Sequence, residues 1–214
     1  MRLVLHGYWR SSPSWRVRIG LHWKGLAFEQ APVNLLKHEQ SSPEHLRLNP
    51  QGRIPVLEAD GAALTQGPAI LEWLEEIAPE PPLLPQGPLA RARVRALAAL
   101  VACDITPLQN LHVGRALKAR FDADDAAVDA WRAHFITEGL TAFDARVAEF
   151  GGAFCHGDAV SLADLHLVTQ LFGARRFGAP VERWPRLLEI EARCAALPAF
   201  QAAHPDRQPD ATAG

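Results

Sequence analysis

Five of the ten residues from Pro79 to Pro88 are proline. Proline fixes φ and lacks a backbone N–H, so it continues neither a helix interior nor a central sheet ladder. This stretch therefore reads as a linker, and the segments on its two sides differ in kind. Before it, Leu3 to Gly7, Phe28 to Asn34 and Pro55 to Glu58 read as strands, with Ala62 to Thr65 a fourth after the turn at Asp60-Gly61. Between the first two strands Trp15, Val17, Ile19, Leu21 and Trp23 alternate with polar or small residues, as in a strand. The ends of that segment are punctuated as a helix, with Ser12 at the N-cap, Pro13 at N1 and Gly25 at the stop, and a helix is predicted. A further helix carries the stripe Ile70, Leu71, Leu74 and Ile77 against Glu72, Glu75 and Glu76, and ends at Ala78-Pro79. The order is strand, helix, strand, irregular segment, two strands, helix.

Beyond the linker no strand is evident. Helical stretches fall at about 89–117, 125–149, 161–176 and 186–196, and Ser161-Leu162-Ala163-Asp164 forms a capping-box start with Asp in place of Glu. From residue 205 the chain is polar and short of apolar anchors, which predicts a surface tail. The expected organisation is an α/β domain over 1–80, a linker over 81–88 and an all-helical domain over 89–214.

Lys and Arg number 22 against 24 Asp and Glu, a net charge of −2, so the chain lacks the basic excess with which proteins bind nucleic acid or anionic membrane surfaces. At 48% apolar residues it can bury a full core. Cys103, Cys155 and Cys194 form no C-x-x-C pair, which points away from a disulfide framework or zinc knuckle, and no metal site is predicted. Leu3 to Leu5 is too short for a signal-peptide core and Ala96 to Cys103 for a membrane span, so a cytoplasmic protein is expected. The nine histidines are scattered, and no P-loop, G-x-G-x-x-G or G-x-S-x-G occurs.

The distribution of charge is more informative than its sum. Residues 1–28 hold five basic residues (Arg2, Arg10, Arg16, Arg18 and Lys24) and no acidic one, whereas 29–85 hold three basic and nine acidic residues. Either this is fluctuation on a solvated face, or an anion site lies near the start of the chain. Tyr8-Trp9-Arg10-Ser11-Ser12-Pro13-Ser14 places three hydroxyls before or at a helix start, where the dipole favours an anion or thiolate; capping alone would explain one of them. Thr65-Gln66-Gly67-Pro68-Ala69 is a second donor-bearing helix start. At Ile54-Pro55 a cis peptide would present the Ile54 backbone to an extended ligand. Together these features suit a small peptide with carboxylates.

Arg10-Ser11-Ser12-Pro13-Ser14-Trp15-Arg16-Val17-Arg18-Ile19 resembles the signature R-S-S-C-S-W-R-V-R-I of the zeta class of glutathione transferases, which includes maleylacetoacetate and maleylpyruvate isomerases. Leu48-Asn49-Pro50, Ile54-Pro55-Val56-Leu57, Gln66, Leu71 to Glu76, Pro107 to Leu111, Ala163-Asp164-Leu165, Arg176-Phe177 and the segment from His204 to Asp210 are similar to the same class, so the likeness spans nearly the whole chain. The resemblance implies a thioredoxin-like N-terminal domain that binds glutathione, an all-α C-terminal domain supplying much of the substrate site, and a homodimer. It places Ser11 at the glutathione sulfur with Ser12 beside it, Gln66 and Gly67 at the γ-glutamyl end and the Ile54 main chain on the cysteinyl backbone. Gln109 and Asn110 fall on the helical side of the cleft. Arg10, His112, Arg115 and Arg176 become candidates for the carboxylates of a small dicarboxylate substrate.

Two residues depart from the class. Pro13 stands where cysteine is usual, and Gly67 stands where a serine hydroxyl normally meets the γ-glutamyl carboxylate, a loss of about 1.5–3 kcal/mol. The activity implied is glutathione-dependent cis–trans isomerisation. Conjugation or dehalogenation of small electrophiles such as α-halo acids, and a non-enzymatic binding module, are the alternatives. Arg16 and Arg18 are assigned to helix-face solvation or dimer salt bridges, and Arg2 and Lys24 to no specific role.

Overall fold

The computed structural model describes residues 1–211. The chain divides into two compact units, one of Met1–Pro82 together with the segment from Ala195 onward, the other of Leu83–Cys194. The C-terminal segment thus groups with the α/β unit, whereas the sequence assigned it to the helical one.

In the first unit, β1 (Leu3–Gly7), β2 (Glu29–Pro32), β3 (Val56–Ala59) and β4 (Ala62–Thr65) form one sheet in the order β2-β1-β3-β4. β1 runs parallel to β2 and antiparallel to β3, which pairs antiparallel with β4; Leu5 faces Gln30 on one side and Leu57 on the other. β2 is shorter than the expected Phe28 to Asn34, and its edge position tolerates Pro32, which has no N–H to donate. Helix α1 (Ser12–Trp23) crosses from β1 to β2. Its residues Ser14 to Leu21 are all buried, which explains why no helical stripe marks its sequence: a helix covered on every side needs no polar face. Gly25, at φ +63°, supplies the left-handed residue after its end.

Helix α2 (Pro43–Leu48) forms within the segment expected to be irregular; Ser42 caps it by accepting the His45 N–H at 3.2 Å. Helix α3 (Gly67–Ile77) buries Ile70, Leu71 and Leu74 as its stripe predicts, but Ile77 is 39% exposed. A Cβ on Gly20 would come within 2.5 Å of Leu71 Cδ2, so the packing of α1 on α3 depends on a missing side chain at that crossing.

Lys24 contradicts its incidental assignment. Its ammonium is buried, pairs with the Glu75 carboxylate on α3 and donates to the carbonyls of Pro81 (2.7 Å) and Pro79 (3.5 Å), fixing the start of the proline-rich stretch.

The second unit is helical: α4 (Pro88–Ala99), a π-helical turn (Leu100–Ile105), α5 (Thr106–Gln109), α6 (Leu111–Phe121), α7 (Asp125–Phe150), α8 (Leu162–Arg176) and α9 (Pro185–Ala195). The single helix expected over 89–117 is interrupted by the π turn and by Asn110, whose carboxamide oxygen caps α6 through the His112 N–H at 3.3 Å. By length and composition alone the run Pro88–Phe121 could cross a membrane, yet Val94, Leu97, Ala98, Val101 and Ile105 within it are buried in this unit. α8 is the central helix, buried from Leu162 to Leu171. The Asp164 carboxylate accepts from the N–H and the hydroxyl of Ser161, each at 2.8 Å, and from the Cys155 N–H at 2.8 Å. At the end of the proline-rich stretch, Leu83 and Leu84 are buried, and the Leu83 carbonyl accepts the Leu162 N–H at 2.9 Å.

The surface tail predicted from residue 205 is overturned in part: Asp206, Arg207 and Pro209 are exposed, Pro205 and Gln208 are buried, and residues 212–214 lie outside the described residues. After α10 (Pro198–Ala203) the chain packs back on the first unit. Gln208 is 5% exposed, its amide donates to the carbonyls of Ala202 and His204, and its oxygen accepts from Gln30 at 3.0 Å. Asp210 accepts the Trp9 N–H at 2.9 Å, and the His204 ring stacks edge-on against Trp15.

Candidate functional site

The loop Tyr8 to Ser11 joins β1 to α1. A Cβ on Gly7 would lie 3.1 Å from both Cβ and Oγ of Ser14, so strand end and helix start meet as closely as glycine permits. Ser14 Oγ is buried at that contact and makes no hydrogen bond among the described residues, which gives this serine a packing role. Ser11, and not Ser12, occupies the N-cap: its Oγ accepts the Ser14 N–H at 3.4 Å, and its carbonyl accepts the Trp15 N–H at 2.8 Å.

The donor-rich helix start expected from the sequence is thereby narrowed. Pro13 has no N–H, and those of Ser14 and Trp15 are used within the turn. A hydroxyl that accepts through its oxygen keeps its own O–H to donate, so Ser11 remains equipped to bond an anion. No acidic residue lies in the first turn of α1 to offset the positive end of the dipole. Ser12 sits beside it, half-buried. The Arg10 guanidinium lies 5.1 Å from the centre of the Trp9 indole, and its Nε is shielded from solvent with no acceptor among the described residues. An anion would complete it.

A second edge of the site is built by residues 49–55. Asn49 Nδ2 and His45 Nε2 both reach the Arg53 carbonyl at 2.9 Å, and Asn49 Oδ1 accepts the Gln51 N–H at 3.1 Å. These bonds hold the segment leading to the cis peptide Ile54–Pro55. The Ile54 peptide groups make no hydrogen bond among the described residues, so this backbone is available to an extended ligand. Gln66, at φ 66° and ψ 108°, holds a conformation that costs a non-glycine residue energy, and it stands at the cap of α3. Its amide donates to Gln51 Oε1 at 2.9 Å. Gly67 follows as the first helical residue; a Cβ there would find Pro13 O at 3.7 Å and Val17 Cγ2 at 4.0 Å, ordinary contacts.

Arg16 and Arg18 are neither solvated nor on an open face: they are 2% and 1% exposed. Burial lowers Arg16 to about 9 and Arg18 to about 10, which leaves both charged at neutral pH. Arg18 donates to the carbonyls of Trp9 (2.7 Å), Ala203 (3.2 Å) and Tyr8 (3.4 Å). It shapes the loop.

In the second unit, Gln109 is 8% exposed and forms a reciprocal amide pair with Gln170, at 3.1 and 2.9 Å. Each amide keeps one N–H beyond that pair, and Asn110 keeps its whole amino group after capping α6. His112 and Arg115 lie three residues apart on exposed positions of α6. Arg176 ends α8, its guanidinium 5.2 Å from the Phe177 ring centre. Arg132 on α7, which the sequence reading missed, lies 4.7 Å from that ring and pairs with Asp129 at 2.9 Å. A Cβ on Gly114 would meet its guanidinium at 2.7 Å, so α6 passes directly over it. No local motif marks Arg132; only the helix packing brings it to Phe177.

The family described as glutathione S-transferase, N-terminal domain, matches residues 5–82. The maleylacetoacetate isomerase of Pseudomonas aeruginosa is 46% identical, covering 99% of this chain and 100% of its own. A maleylpyruvate isomerase, described as a bacterial glutathione S-transferase of the zeta class, superposes with a TM-score of 0.95 at 42% identity, covering 98% of this chain and 100% of its own. The maleylacetoacetate isomerase of Anaeromyxobacter dehalogenans 2CP-1, solved with glutathione in its active site, gives 0.90 at 50% identity over 99% and 98% of the two chains. Another structure of that protein holds dicarboxyethyl glutathione and citrate. With similarity of this degree over the full length, the chain belongs to the zeta class of the glutathione transferases.

Proposed function

We propose that this protein is a glutathione-dependent cis–trans isomerase acting on a small cis-configured dicarboxylate of the maleylacetoacetate or maleylpyruvate type. The observation that carries the reading is the Ser11 hydroxyl, which caps α1 through its oxygen and keeps its O–H for an anion at a helix end free of acidic residues. The chain's residues fit glutathione. The Ile54 peptide pairs with the cysteinyl backbone, Gln66 and the first N–H groups of α3 at Gly67 take the γ-glutamyl end, and Ser11 donates to the sulfur with Ser12 beside it. The remaining amide donors of Gln109 and Asn110 are the second unit's candidates for the same ligand.

Bound glutathione supplies a thiolate that adds reversibly to the activated cis double bond, so that rotation and elimination release the trans isomer with the thiol restored. The chain's part is electrostatic. Ser11 and the α1 dipole favour the thiolate over the thiol. Arg10, whose Nε lacks an acceptor, holds one carboxylate or the negative charge that develops on the conjugated carbonyl oxygen. Arg176, His112 and Arg115 are the second unit's candidates for the substrate's carboxylates, and the Arg132 guanidinium against the same phenyl ring as Arg176 adds positive charge there. The reading includes a cytoplasmic homodimer, in keeping with the family habit. Incubation with glutathione and either cis-diacid should convert it to the trans acid; no conversion of either substrate would reject the reading.

A further inference from the structure

The C-terminal segment reaches the loop that carries Ser11 and Arg10, and it does so through charged groups. The two peptide groups flanking Trp9 are each held by a side chain: Asp210 Oδ2 accepts the Trp9 N–H at 2.9 Å, and Arg18 Nη2 donates to the Trp9 carbonyl at 2.7 Å. Arg18 also reaches the Tyr8 carbonyl at 3.4 Å, which itself accepts the Ser11 N–H at 2.9 Å. The same guanidinium donates to the Ala203 carbonyl at 3.2 Å, tying the end of α10 to the loop. Gln208 holds the intervening turn, bonded to the Ala202 and His204 carbonyls on one side and to Gln30 of β2 on the other.

Tyr8 and Trp9 are themselves buried, so packing holds the loop beside these bonds. The loop lies between the end of β1 and the first turn of α1, and Trp9 Nε1 makes no hydrogen bond among the described residues. Residue 9 also bears the indole on which the Arg10 guanidinium rests. Rotation of the peptide groups about residue 9 would therefore displace both the Ser11 hydroxyl, two residues on, and Arg10. Hydrogen bonds to a charged acceptor or donor are roughly twice as strong as neutral ones, which suits them to fixing such a loop.

We infer that Asp210 is a positioning residue: with Arg18 it clamps the peptide groups of Trp9 and so sets the places of Ser11 and Arg10, making the C-terminal segment part of the catalytic machinery at a distance. The inference rests on the role proposed above for Ser11. Sequence reading placed this segment on the surface, so nothing in its polar composition announced the role.

The test compares wild type with Asp210→Ala and with Asp210→Asn, which keeps an acceptor oxygen. Three readouts are taken at a temperature where every variant is folded: hydrogen exchange over residues 8–11, thiolate absorbance of bound glutathione against pH, and kcat and KM with maleylpyruvate. In Asp210→Ala the loop should exchange faster, the bound thiol should titrate at higher pH, and kcat should fall on the order of 10- to 100-fold, as for a misplaced catalytic group. KM for glutathione should change by less than about threefold, because Ile54 and Gln66 are untouched, and Asp210→Asn should stay within about threefold of wild type throughout.

If the alanine variant does not fold, Asp210→Ser, whose hydroxyl is too short to reach Trp9, serves in its place. A folded Asp210→Ala that keeps wild-type loop exchange, thiol titration and kcat while merely melting earlier would overturn the inference. Should wild type itself fail to lower the bound thiol's pKa, the role of Ser11 falls instead. Faster loop exchange in Asp210→Ala would then still support the clamp.

Discussion

Replacing Gly67 with serine tests the γ-glutamyl end of the site quantitatively. The position lies in the first turn of α3, outside the left-handed region, and a Cβ there meets only Pro13 O at 3.7 Å and Val17 Cγ2 at 4.0 Å, so a side chain enters without strain. A hydroxyl that reaches the ligand's carboxylate adds one hydrogen bond to a charged group, about 1.5–3 kcal/mol. At 1.4 kcal/mol per decade this is a tightening of roughly 10- to 100-fold in the Kd for glutathione. A serine at a helix start can also bond its own backbone, which places the expected value toward the lower end of that range. Gly67→Ala is the control, because it removes the glycine's conformational freedom, worth about 0.5–1 kcal/mol of stability, without supplying a donor. Titration calorimetry on the three proteins separates the two effects. If Gly67→Ser binds no tighter than Gly67→Ala, the carboxylate does not lie at the start of α3, and the assignment of Gln66 and Gly67 fails with it.

Other expectations follow from the same geometry. Ser11→Ala should raise the pKa of the bound thiol and lower turnover, while Ser12→Ala should do less; thiolate absorbance titrations that coincide for wild type and Ser11→Ala would reject the hydroxyl's role. Lys24→Ala leaves Glu75 buried without its cation and should destabilise the protein by about 3–5 kcal/mol in urea unfolding. The double variant Lys24→Met with Glu75→Leu should recover most of that loss, since it removes both charges together. His22 packs against Phe28, and burial, helped by the nearby Arg18 charge, lowers its pKa below the ordinary 6.5. The folded state therefore disfavours the imidazolium: the stability His22 contributes is complete above about pH 6.5 and is lost as pH falls through its lowered folded value. His22→Gln should flatten the pH dependence of unfolding in that window, and identical slopes for the two proteins would refute the shift.

What was legible in the sequence was written in punctuation and in short motifs. Pro79 to Pro88, Asp60-Gly61 and the Ser161 to Asp164 start each impose a local backbone choice, and the structure makes those choices where the residues require them. Periodicity served less well where burial is complete. α1 is covered on all sides, so its alternating apolar residues imitate a strand, and Arg16 and Arg18 look like solvated charges although the structure buries both. Capping was predicted one residue late because Ser11 and Ser12 are chemically equivalent as caps, and the structure uses the first.

Long-range partners were invisible. Lys24 with Glu75, Trp9 with Asp210 and Arg132 with Phe177 are joined only by folding. The segment from Ala195 illustrates this most clearly. From residue 205 its polarity predicts solvent, but Gln208 and Asp210 bond to carbonyls and amides of the first unit, so it returns there instead of extending the helical unit. The resemblance to the zeta class supplied the candidate site residues because it carries such tertiary information in its motifs, and Arg132 lies outside those motifs.

The central claim is that glutathione acts on the dicarboxylate and is returned unchanged. It is tested most directly by giving the protein excess maleylpyruvate or maleylacetoacetate with glutathione limiting, and following both species by proton NMR. The account predicts many turnovers per glutathione, accumulation of the trans acid alone and full recovery of the free thiol. Consumption of one glutathione for each substrate lost, with a stable thioether as the product, would contradict it.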